Sequence, residues 1–562
     1  MSPYIELHCH SNFSFLDGGS HPEELVQRAA ELEMPALAIT DTGGIYGAVK
    51  FMRAARRAGV NPIVGTELEV DGESLVLLAR SARGYSSLCR LVSEAHRDQP
   101  KGEARTTLET LAGLAKDLFA LMELGSKPAT AEKRLRSVQD ALGRDAVFVE
   151  LHNHLRPEDE WLSACSAEVA ARCQAQLVAT NQVHYHLPHR RPLHDVLTAI
   201  RLRQTLDGVR GRLHPNSERY LKHGDEVRRL LASYPAALET PWELAGECRL
   251  DELDFKNVRF PGFPVPAGET PFSYLYQLCQ RGARDRYHPI TPAVARRLQR
   301  ELDVIEKTGL AEFFLINWDL MRFAKENGVP GQGRGSAADS IVAYVLGITR
   351  VDPIAHNLLF ERFLHEEMTT TPDIDIDFST AHREKVIQYI YEKYGWERTG
   401  MVCNVVTFKP RMAIRQVGKA LGVPDDLLDR LARSVDGWFA QSLDDSVLAD
   451  VPAGGLETAV WRRFVGLCHE VLGFPRHLSI HVGGMLVTGE PLVDIVPVEP
   501  ATMPGRVVVQ FDKNDVEDLG LIKMDMLGLR TLSVVAECVE LAEKATGTRL
   551  DLDALPLDSI VN

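Results

Sequence analysis

The sequence lacks a long apolar run, because no stretch approaches the length of about 18 residues that a transmembrane helix needs. The N-terminus, MSPYIELHCHSNF, also lacks the apolar core of a secretory signal peptide. The nine cysteines are scattered and form no C-x-x-C pair, which argues against a disulfide framework or a cysteine zinc site. We therefore expect a cytoplasmic protein that has no membrane association.

The chain has no basic excess either, since 63 Lys and Arg residues stand against 78 Asp and Glu residues, a formal net charge of −15. This balance excludes a protein held on nucleic acid by bulk positive charge, although it is compatible with a local basic channel. The composition is that of a globular protein, with 45% apolar and 25% charged residues. A length of 562 residues predicts about three or four domains.

Strand and helix patterns alternate over the first part of the chain, with amphipathic helices expected at 22–33 and 48–58. The strands are expected at residues 4–7, 36–40, 63–69, 75–79, 147–151 and 177–180. Strands that alternate with helices of this length predict an α/β domain built on a parallel sheet or barrel. The intervening residues 98–140 are expected to be mostly helical.

A Pro-rich stretch at residues 261–266 predicts a linker between two domains. Thr270 as the N-cap and Pro271 at the first helical position predict a helix directly after this linker. We therefore expect the first domain to end close to residue 260.

The segment at residues 371–378, TPDIDIDF, concentrates negative charge. Side chains alternate along a strand, so Asp373, Asp375 and Asp377 share one face while two isoleucines share the other. Three like charges repel each other, and a divalent cation with a preference for hard oxygen ligands, Mg²⁺ or Mn²⁺, would stabilise them. The alternative is a solvated edge strand. The apolar isoleucine face favours a half-buried strand with a metal site, without deciding which carboxylates bind.

Upstream of the carboxylates lies a glycine-rich turn, GQGRGS at residues 331–336, before a helical run at 337–346. Glycines let the backbone approach a phosphate, and a helix N-terminus supplies amides with positive potential. Arg334 and Ser336 add a charged fork and a hydroxyl donor. The turn is not a Walker loop, and an ordinary strand–helix turn is the alternative.

Two further segments place charges together. In GLIKMDML, Lys523 and Asp525 share one face of an expected strand, where the alternative is a surface ion pair. In TFKPRMAIRQVGKALG, the basic residues follow a helical spacing that would track a phosphate backbone, where the alternative is a solvated helix face. These candidate DNA-binding residues are Lys409, Arg411, Arg415 and Lys419.

GQGRGSAADSIVAYVLGIT, TPDIDIDF and GLIKMDMLGLRTL, in this order, resemble the motifs of the bacterial C-family DNA polymerases, which include the alpha subunit of DNA polymerase III. HREKVIQYIYEKYG and FPRHLSIHVGGMLVTGEPL are more similar to the error-prone, ImuC-type branch, whereas LGLRTL is similar to the replicative branch. The resemblance implies that the ligands of two catalytic Mg²⁺ ions are Asp375, Asp377 and Asp525. It also implies that the phosphate contacts are Gly333, Arg334, Gly335, Ser336 and Lys523.

The N-terminal region resembles the PHP (polymerase and histidinol phosphatase) domain of this family. The metal-site pattern matches at His8, His10, Asp17, Glu67, His154 and His184. It differs at three positions, where Thr42 and Ser74 replace histidines and Gln182 replaces an aspartate. A His-x-His pair near an aspartate is by itself a reasonable metal nucleus. Because three ligands are lost, we expect a degenerate domain that binds Zn²⁺ or Mn²⁺ weakly and has no appreciable phosphoesterase or exonuclease activity.

The expected fold class is therefore a multidomain α/β chain, a PHP-type (β/α) barrel followed by a polymerase-beta-like nucleotidyltransferase palm with an inserted helical thumb. The expected divisions are a PHP domain with connecting region at 1–260, palm at 261–405, thumb at 406–500 and palm again at 501–562. The family's fingers, clamp-binding region and OB domain would follow residue 562, so we expect an N-terminal portion that extends primers poorly alone.

The expected function is template-directed DNA polymerisation in replication or in the repair and bypass of DNA damage. The expected partners are primer–template DNA, a dNTP and, through C-terminal regions, a sliding clamp and other replication or damage-response proteins. Two alternatives remain open at this point. One is a PHP phosphoesterase or 3′–5′ exonuclease, and the other is a non-catalytic DNA-binding assembly subunit.

Overall fold

The computed structural model describes residues 3–125, 127–250, 260–365, 372, 374–434 and 458–548. The described part of the chain forms two seven-stranded sheets with helices packed against them. Among the helices of this part, none has the length and apolar character that crossing a membrane requires. The expected α/β class, with a barrel followed by a second sheet, is confirmed.

The first sheet and its helices occupy the N-terminal half. The strands are β1 (Ala36–Ile39), β2 (Asn61–Val70), β3 (Glu73–Ala79), β4 (Arg105–Thr106), β5 (Leu118–Met122), β6 (Val147–Leu151) and β7 (Gln176–Ala179). The helices are α1 (Pro22–Glu31), α2 (Ala48–Ala58), α3 (Ala82–Arg97), α4 (Leu108–Leu114), α5 (Pro128–Leu142), α6 (Asp159–Cys173), α7 (Arg191–Arg201), α8 (Gly224–Leu230) and α9 (Pro235–Glu247).

The order β1-β2-β3-β5-β6-β7 curls into a barrel that the N-terminal segment closes. Glu6 bridges to Leu37 of β1, and Cys9 bridges to Val183 just after β7. The strand expected at residues 4–7 is therefore a single isolated bridge at Glu6, and the second bridge, at Cys9, lies outside that range. Pairing in the sheet is mixed, because β3 runs antiparallel to both β2 and β5 while the outer pairs are parallel.

The expectation of mostly helical structure at 98–140 is wrong in part, because β5 lies inside this stretch. Its sequence, LFALM, is buried at every position. A short run that is apolar throughout carries no periodicity, so its sequence cannot distinguish a buried strand from a buried helix turn.

The second sheet occupies the C-terminal half. The strands are β8 (Gly331–Arg334), β9 (Asp375–Ser379), β10 (Thr399–Thr407), β11 (Pro475–Val487), β12 (Val498–Pro500), β13 (Val507–Asp512) and β14 (Lys523–Leu529). The helices are α10 (Pro271–Arg286), α11 (Pro292–Thr308), α12 (Ala311–Glu326), α13 (Ile341–Val345), α14 (Arg383–Tyr394), α15 (Pro410–Ala420), α16 (Asp425–Ser434), α17 (Thr458–Val471), α18 (Lys513–Asp518) and α19 (Arg530–Thr546).

The strand order of the second sheet is β12-β13-β10-β11-β14-β9-β8. β14 lies between β11, to which it is antiparallel, and β9, to which it is parallel. Helices α15, α16 and α17 are inserted in the sequence between β10 and β11, which pair with each other. The helix expected after Thr270 begins there as predicted, with the Thr270 hydroxyl accepting from the Ser273 amide and Pro271 at the first turn.

The barrel and the second sheet share one apolar core. Val49 of α2 and Leu88 of α3 belong to the same buried cluster as Val402 of β10 and Val509 of β13. Ion pairs cross the same boundary, where Lys50 Nζ lies 2.7 Å from Asp515 Oδ1 and 2.9 Å from Asp512 Oδ2. The barrel therefore supports the second sheet directly.

Candidate active site

Strands β9 and β14 bring the expected catalytic carboxylates to one place on the second sheet. Asp375 stands opposite Asp525, and Asp377 stands opposite Leu527, in a parallel register. Ile376 and Phe378 alternate with the aspartates and enter the core, which fixes the face on which the carboxylates lie. Asp373 lies outside the described residues. The strand therefore presents Asp375 and Asp377 on the face that it shares with Asp525.

Two cations contact these carboxylates. Arg334, at the end of β8, is opposite Asp375 in the antiparallel pair with β9. Its Nη1 lies 3.4 Å from Asp375 Oδ2, and its Nε lies 3.1 Å from Asp377 Oδ1. Lys523, whose side chain is only 5% exposed, donates to Asp525 Oδ2. Both basic residues that the family resemblance assigns to phosphate thus lie directly beside the carboxylates.

The electrostatics of the site reflect a surplus of acid. Burial raises the pKa of Asp375 above its ordinary value; Arg334 opposes this shift, and the carboxylate of Asp525 adds to it. Asp525 Oδ1 is buried and has no hydrogen-bond partner among the described residues. An unsatisfied buried carboxylate oxygen beside two further carboxylates suits a hard divalent cation. The residues therefore fit the divalent metal ions that the resemblance implies.

The glycine-rich turn packs against the same carboxylates. Gly333 donates its amide to Ile348 O at 2.7 Å, and a Cβ at this position would also lie 2.7 Å from that oxygen, so only glycine fits. Gly335 adopts a φ of +72°, which glycine tolerates best, close to Asp375. Ser336 follows in a 3₁₀ turn, Gly335–Asp339, and α13 begins only at Ile341 with Ser340 as its N-cap. The helical run expected from 337 is therefore divided in two.

His481 of β11 is a site residue that the sequence motifs did not indicate. Its Nδ1 accepts a hydrogen bond from the Gly484 amide at 2.7 Å and lies 3.8 Å from Asp525 Oδ1. Gly484 is the residue opposite Asp525 in the β11–β14 pair, so the register of these strands places the His481 imidazole near Asp525. Burial lowers the pKa of His481, although Asp525 opposes this shift. The sequence signal for this residue is a histidine two positions before a glycine pair, in HVGG.

An open cleft of about 860 Å³ begins at Arg334 and Asp377. Two further arginines line it: Arg383 donates to Val482 O, and Arg506 pairs with Glu384. Three arginines thus line the cleft that starts at the carboxylates, although Arg506 is buried and its partner Glu384 lines the same cleft.

The candidate DNA-binding stripe lies on and next to α15. Lys409, Arg415 and Lys419 are exposed, whereas Arg411 is half-buried. Arg415 Nη2 lies 3.2 Å from Asp429 Oδ1, and Lys419 Nζ lies 3.4 Å from Asp425 Oδ1. The acidic first turn and the middle of α16 thus partly neutralise the stripe, an interaction that the basic residues alone did not indicate.

Of the six expected PHP ligands, three come together as one group of possible metal donors. His8, His10 and Glu67 form one cluster, with the two Nε2 atoms of the histidines 3.1 Å apart and His10 Nε2 3.4 Å from Glu67 Oε2. Burial by itself would lower the pKa of His8, but the Glu150 carboxylate, 2.9 Å from Nδ1, raises it to about 9. Burial lowers the pKa of His10 to about 4, although Glu67 opposes this shift.

The three residues that replace family ligands form hydrogen bonds with side chains of this region. Ser74 donates to Glu67 Oε1, and the Thr42 hydroxyl lies 3.5 Å from Glu67 Oε2. Gln182 donates to Glu123 Oε2 at 3.0 Å and accepts from Arg219 at 2.6 Å. The Arg219 guanidinium therefore reaches the place of the missing aspartate.

The remaining expected ligands are not members of this three-residue cluster, although His184 lies directly against it. His184 Nδ1 is 3.0 Å from Asp17 O, and its ring stacks on His10 at a centroid distance of 4.7 Å. The carboxylate of Asp17 pairs instead with Arg201, at 2.9 Å. His154 Nε2 lies 3.0 Å from Asn181 O. Burial lowers the pKa of both His154 and His184.

Residues 273–528 match the family described as "Bacterial DNA polymerase III alpha NTPase domain", and residues 6–154 match the PHP domain family. The chain is 38% identical to the Error-prone DNA polymerase of Anaeromyxobacter dehalogenans, in an alignment that covers 96% of this chain and 55% of that protein. It is 41% identical to the Error-prone DNA polymerase of an Azoarcus species, with 99% of this chain and 54% of that protein covered. The chain spans about half the length of the curated relatives it matches.

Among solved structures, an amidohydrolase from Chromobacterium violaceum matches with a TM-score of 0.24 and 17% identity, over 32% of this chain and 87% of that chain. A putative metal-dependent phosphoesterase from Bifidobacterium adolescentis matches with a TM-score of 0.23 and 17% identity, over 41% of this chain and 95% of that chain. Likenesses at this level carry no argument about function.

Proposed function

The chain belongs to the C-family of bacterial DNA polymerases, and on this premise we propose that it supplies the nucleotidyl-transfer centre of an error-prone, ImuC-type DNA polymerase. The observation that carries the proposal is the convergence of Asp375, Asp377 and Asp525 on neighbouring strands, with Arg334 and Lys523 against them. All five residues fall within the matched range 273–528.

The reaction joins a primer 3′-oxygen to the α-phosphorus of a dNTP and breaks the bond from that phosphorus to the pyrophosphate oxygen. Asp375, Asp377 and Asp525 would hold two Mg²⁺ ions. When bound, these ions supply Lewis acidity that lowers the pKa of the primer hydroxyl and stabilises negative charge on the leaving oxygen. The unsatisfied Oδ1 of Asp525 supports this role, because a metal ligand would complete its coordination.

The chain's own cations act on the phosphates. Arg334 is 46% exposed at the mouth of the cleft, and its planar fork suits two oxygens of a phosphate. Lys523 is buried and contributes a point charge from the floor of the site. The backbone at Gly333 and Gly335 carries no Cβ that would block the triphosphate. We assign Ser336 as a further hydroxyl donor to the phosphates.

We propose that α15, α16 and α17, inserted between β10 and β11, form the thumb, and that β11 belongs to the palm although it lies within the expected thumb range of 406–500. The DNA-backbone contacts would come from Lys409, Arg411, Arg415 and Lys419. Phosphates would then compete with Asp425 and Asp429 for Arg415 and Lys419. Primer–template DNA and a dNTP are the proposed substrates, and a sliding clamp is proposed from the family resemblance alone.

The test is single-nucleotide primer extension by Asp375→Asn and Asp377→Asn in the full-length or reconstituted enzyme. Each substitution keeps the shape of the side chain and removes its charge, so we expect nucleotide addition to be abolished while circular dichroism remains unchanged. Asp303→Asn, on the exposed face of α11, is the matched control and should keep the wild-type rate. A near-wild-type rate in either site variant would overturn the proposal.

A further inference from the structure

Three histidines meet on one side of the barrel, next to the expected PHP ligands. His184 follows β7, His194 lies on α7, and His214 lies in the segment before α8. Their ring centroids are 5.1 to 5.2 Å apart in each pair, and each offers one nitrogen that lies within 4.8 Å of the others. His194 and His214 are not among the residues that match the family's metal pattern. The fold has therefore assembled a donor set that the motif does not contain.

His194 is the most informative member of the cluster. It is only 3% exposed, and among the residues that the structure describes neither of its ring nitrogens has a hydrogen-bond partner. The nearest acceptor is Asp17 Oδ1, 3.6 Å from Nε2. A buried imidazole without partners is costly, because folding removes its water and replaces it with nothing. A ligand bound to one ring nitrogen would offset this cost.

Asp17 lies next to two of the three rings, those of His184 and His194. Its carbonyl oxygen, 3.0 Å from His184 Nδ1, accepts that N–H and leaves Nε2 with a free lone pair. Its carboxylate faces His194 Nε2. Metal-ligating histidines commonly donate their second nitrogen to a carbonyl or a carboxylate, which fixes the ring orientation. Both arrangements are present around one residue.

Two nearby cations have partners of their own. Arg201 Nη1 lies 2.9 Å from Asp17 Oδ1, and Arg219 donates to Gln182 Oε1. The guanidinium of Arg201 is thus directed at the aspartate behind the rings. The cluster itself holds only imidazoles, which suit Zn²⁺ better than Mg²⁺ or Ca²⁺.

We propose that His184, His194 and His214 bind one Zn²⁺ ion, at a position displaced from the His8, His10 and Glu67 cluster. Three imidazoles leave a fourth, tetrahedral position for water. The ion would join the segment after β7, helix α7 and the segment before α8. Leu193 and Leu197 of α7 pack in one core cluster with Ile414 of α15, so the ion would stiffen the support of the proposed thumb.

The experiment strips the purified 562-residue chain with a chelator and measures Zn²⁺ stoichiometry and affinity. The visible absorption of substituted Co²⁺ reports tetrahedral geometry. We expect about one ion for the wild type and a loss of affinity of about 10- to 100-fold or more in His194→Ala and His214→Ala. His8→Ala is the matched control and should retain the ion, with circular dichroism reporting the folding of every variant.

Several outcomes would overturn the proposal. One is a folded wild-type chain that binds no Zn²⁺. Another is a loss of binding in His8→Ala, whether or not His194→Ala binds, because this would locate the ion at the His8, His10 and Glu67 cluster. Unchanged binding in folded His194→Ala and His214→Ala would do the same. If His194→Ala does not fold, His194→Gln and the Co²⁺ spectrum of His214→Ala decide the question.

Discussion

Asp375 and Asp525 are distant in the sequence but stand opposite each other on adjacent parallel strands. Strand β11 pairs with β14 on its other side and places Gly484 opposite Asp525. The same pairing brings His481 close to the Asp525 carboxylate. On the other side, β8 places Arg334 opposite Asp375. Four neighbouring strands therefore build the proposed polymerase centre, and its geometry depends on their register.

Asp525→Asn should reduce nucleotide addition by about 10²- to 10³-fold or more, because it removes charge stabilisation from the transition state. The amide keeps the size of the side chain, so the fold should persist. Single-turnover primer extension by the full-length enzyme measures the loss, with Asp303→Asn as the control. An unchanged rate in Asp525→Asn would show that β14 contributes no essential ligand.

Arg334→Ala should raise the KM for the dNTP about tenfold, since a charge-assisted hydrogen bond contributes about 1.5 kcal/mol. Arg334→Lys should restore only part of this affinity, because it keeps the charge and loses the planar fork. Steady-state extension with varied dNTP concentrations distinguishes the two. The exposed Arg57 on α2 offers a control, Arg57→Ala, which should leave the KM unchanged. Equal KM values for wild type and Arg334→Ala would contradict the assignment.

Arg415→Ala combined with Lys419→Ala should weaken DNA binding and reduce its salt dependence. Each phosphate contact releases counterions, so two lost contacts lower the slope of log affinity against log salt by about 1 to 2. Fluorescence anisotropy with primer–template DNA at several salt concentrations measures this slope, with Arg57→Ala as the control. Because Asp425 and Asp429 already pair with these cations, Asp429→Asn should strengthen binding. An unaltered slope would remove α15 from the DNA interface.

The PHP domain should show no appreciable metal-dependent degradation of labelled single-stranded DNA in Mn²⁺ or Zn²⁺. Thr42 and Ser74 provide hydroxyls where imidazole ligands are expected, and Arg219 reaches the position of the missing aspartate through Gln182. Water activation needs a positioned metal ion, usually with a bridging partner. Comparison with His8→Ala separates this domain from contaminating nucleases. Degradation that disappears in His8→Ala would make the domain an active nuclease.

Lys50→Met should destabilise the contact between barrel and palm by about 3 kcal/mol near pH 8, because it leaves Asp515 buried without its cation. Burial raises the pKa of Asp515 to about 6, although Lys50 opposes this shift. The folded pKa of Asp515 is higher than its unfolded value of about 3.9, so protonation of Asp515 stabilises the folded state. This stabilisation is complete below the unfolded pKa and is lost as the pH rises through about 6. The destabilisation should therefore be smaller near pH 5.

Urea unfolding midpoints at the two pH values check this prediction. Arg53→Met is the matched control, because the exposed Arg53–Asp518 pair crosses the same boundary and should contribute less than about 1 kcal/mol. Adding Asp515→Asn to Lys50→Met should recover stability at the higher pH. A destabilisation independent of pH, or one no larger than that of Arg53→Met, would contradict the role of burial.

The sequence by itself determined the local features. Helix α2 has the predicted bounds, Thr270 and Pro271 start α10, and alternation puts Asp375 and Asp377 on one strand face. The motifs identified the family, which the comparisons confirm. Each of these signals resides in neighbouring residues: a cap, a fixed φ or a period of two.

Only the tertiary structure decided which distant residues meet. The closure of the barrel by bridges at Glu6 and Cys9, the approach of His481 to Asp525 and the meeting of His184 with His194 and His214 all depend on the packing of remote segments. The register of two strands is set by which faces the whole core buries and by where the ladder bonds align, and no window of the sequence contains both partners. For this reason, the aspartates and the two cations beside them could be found from the sequence motifs, whereas the position of His481 next to Asp525 could be found only from the fold.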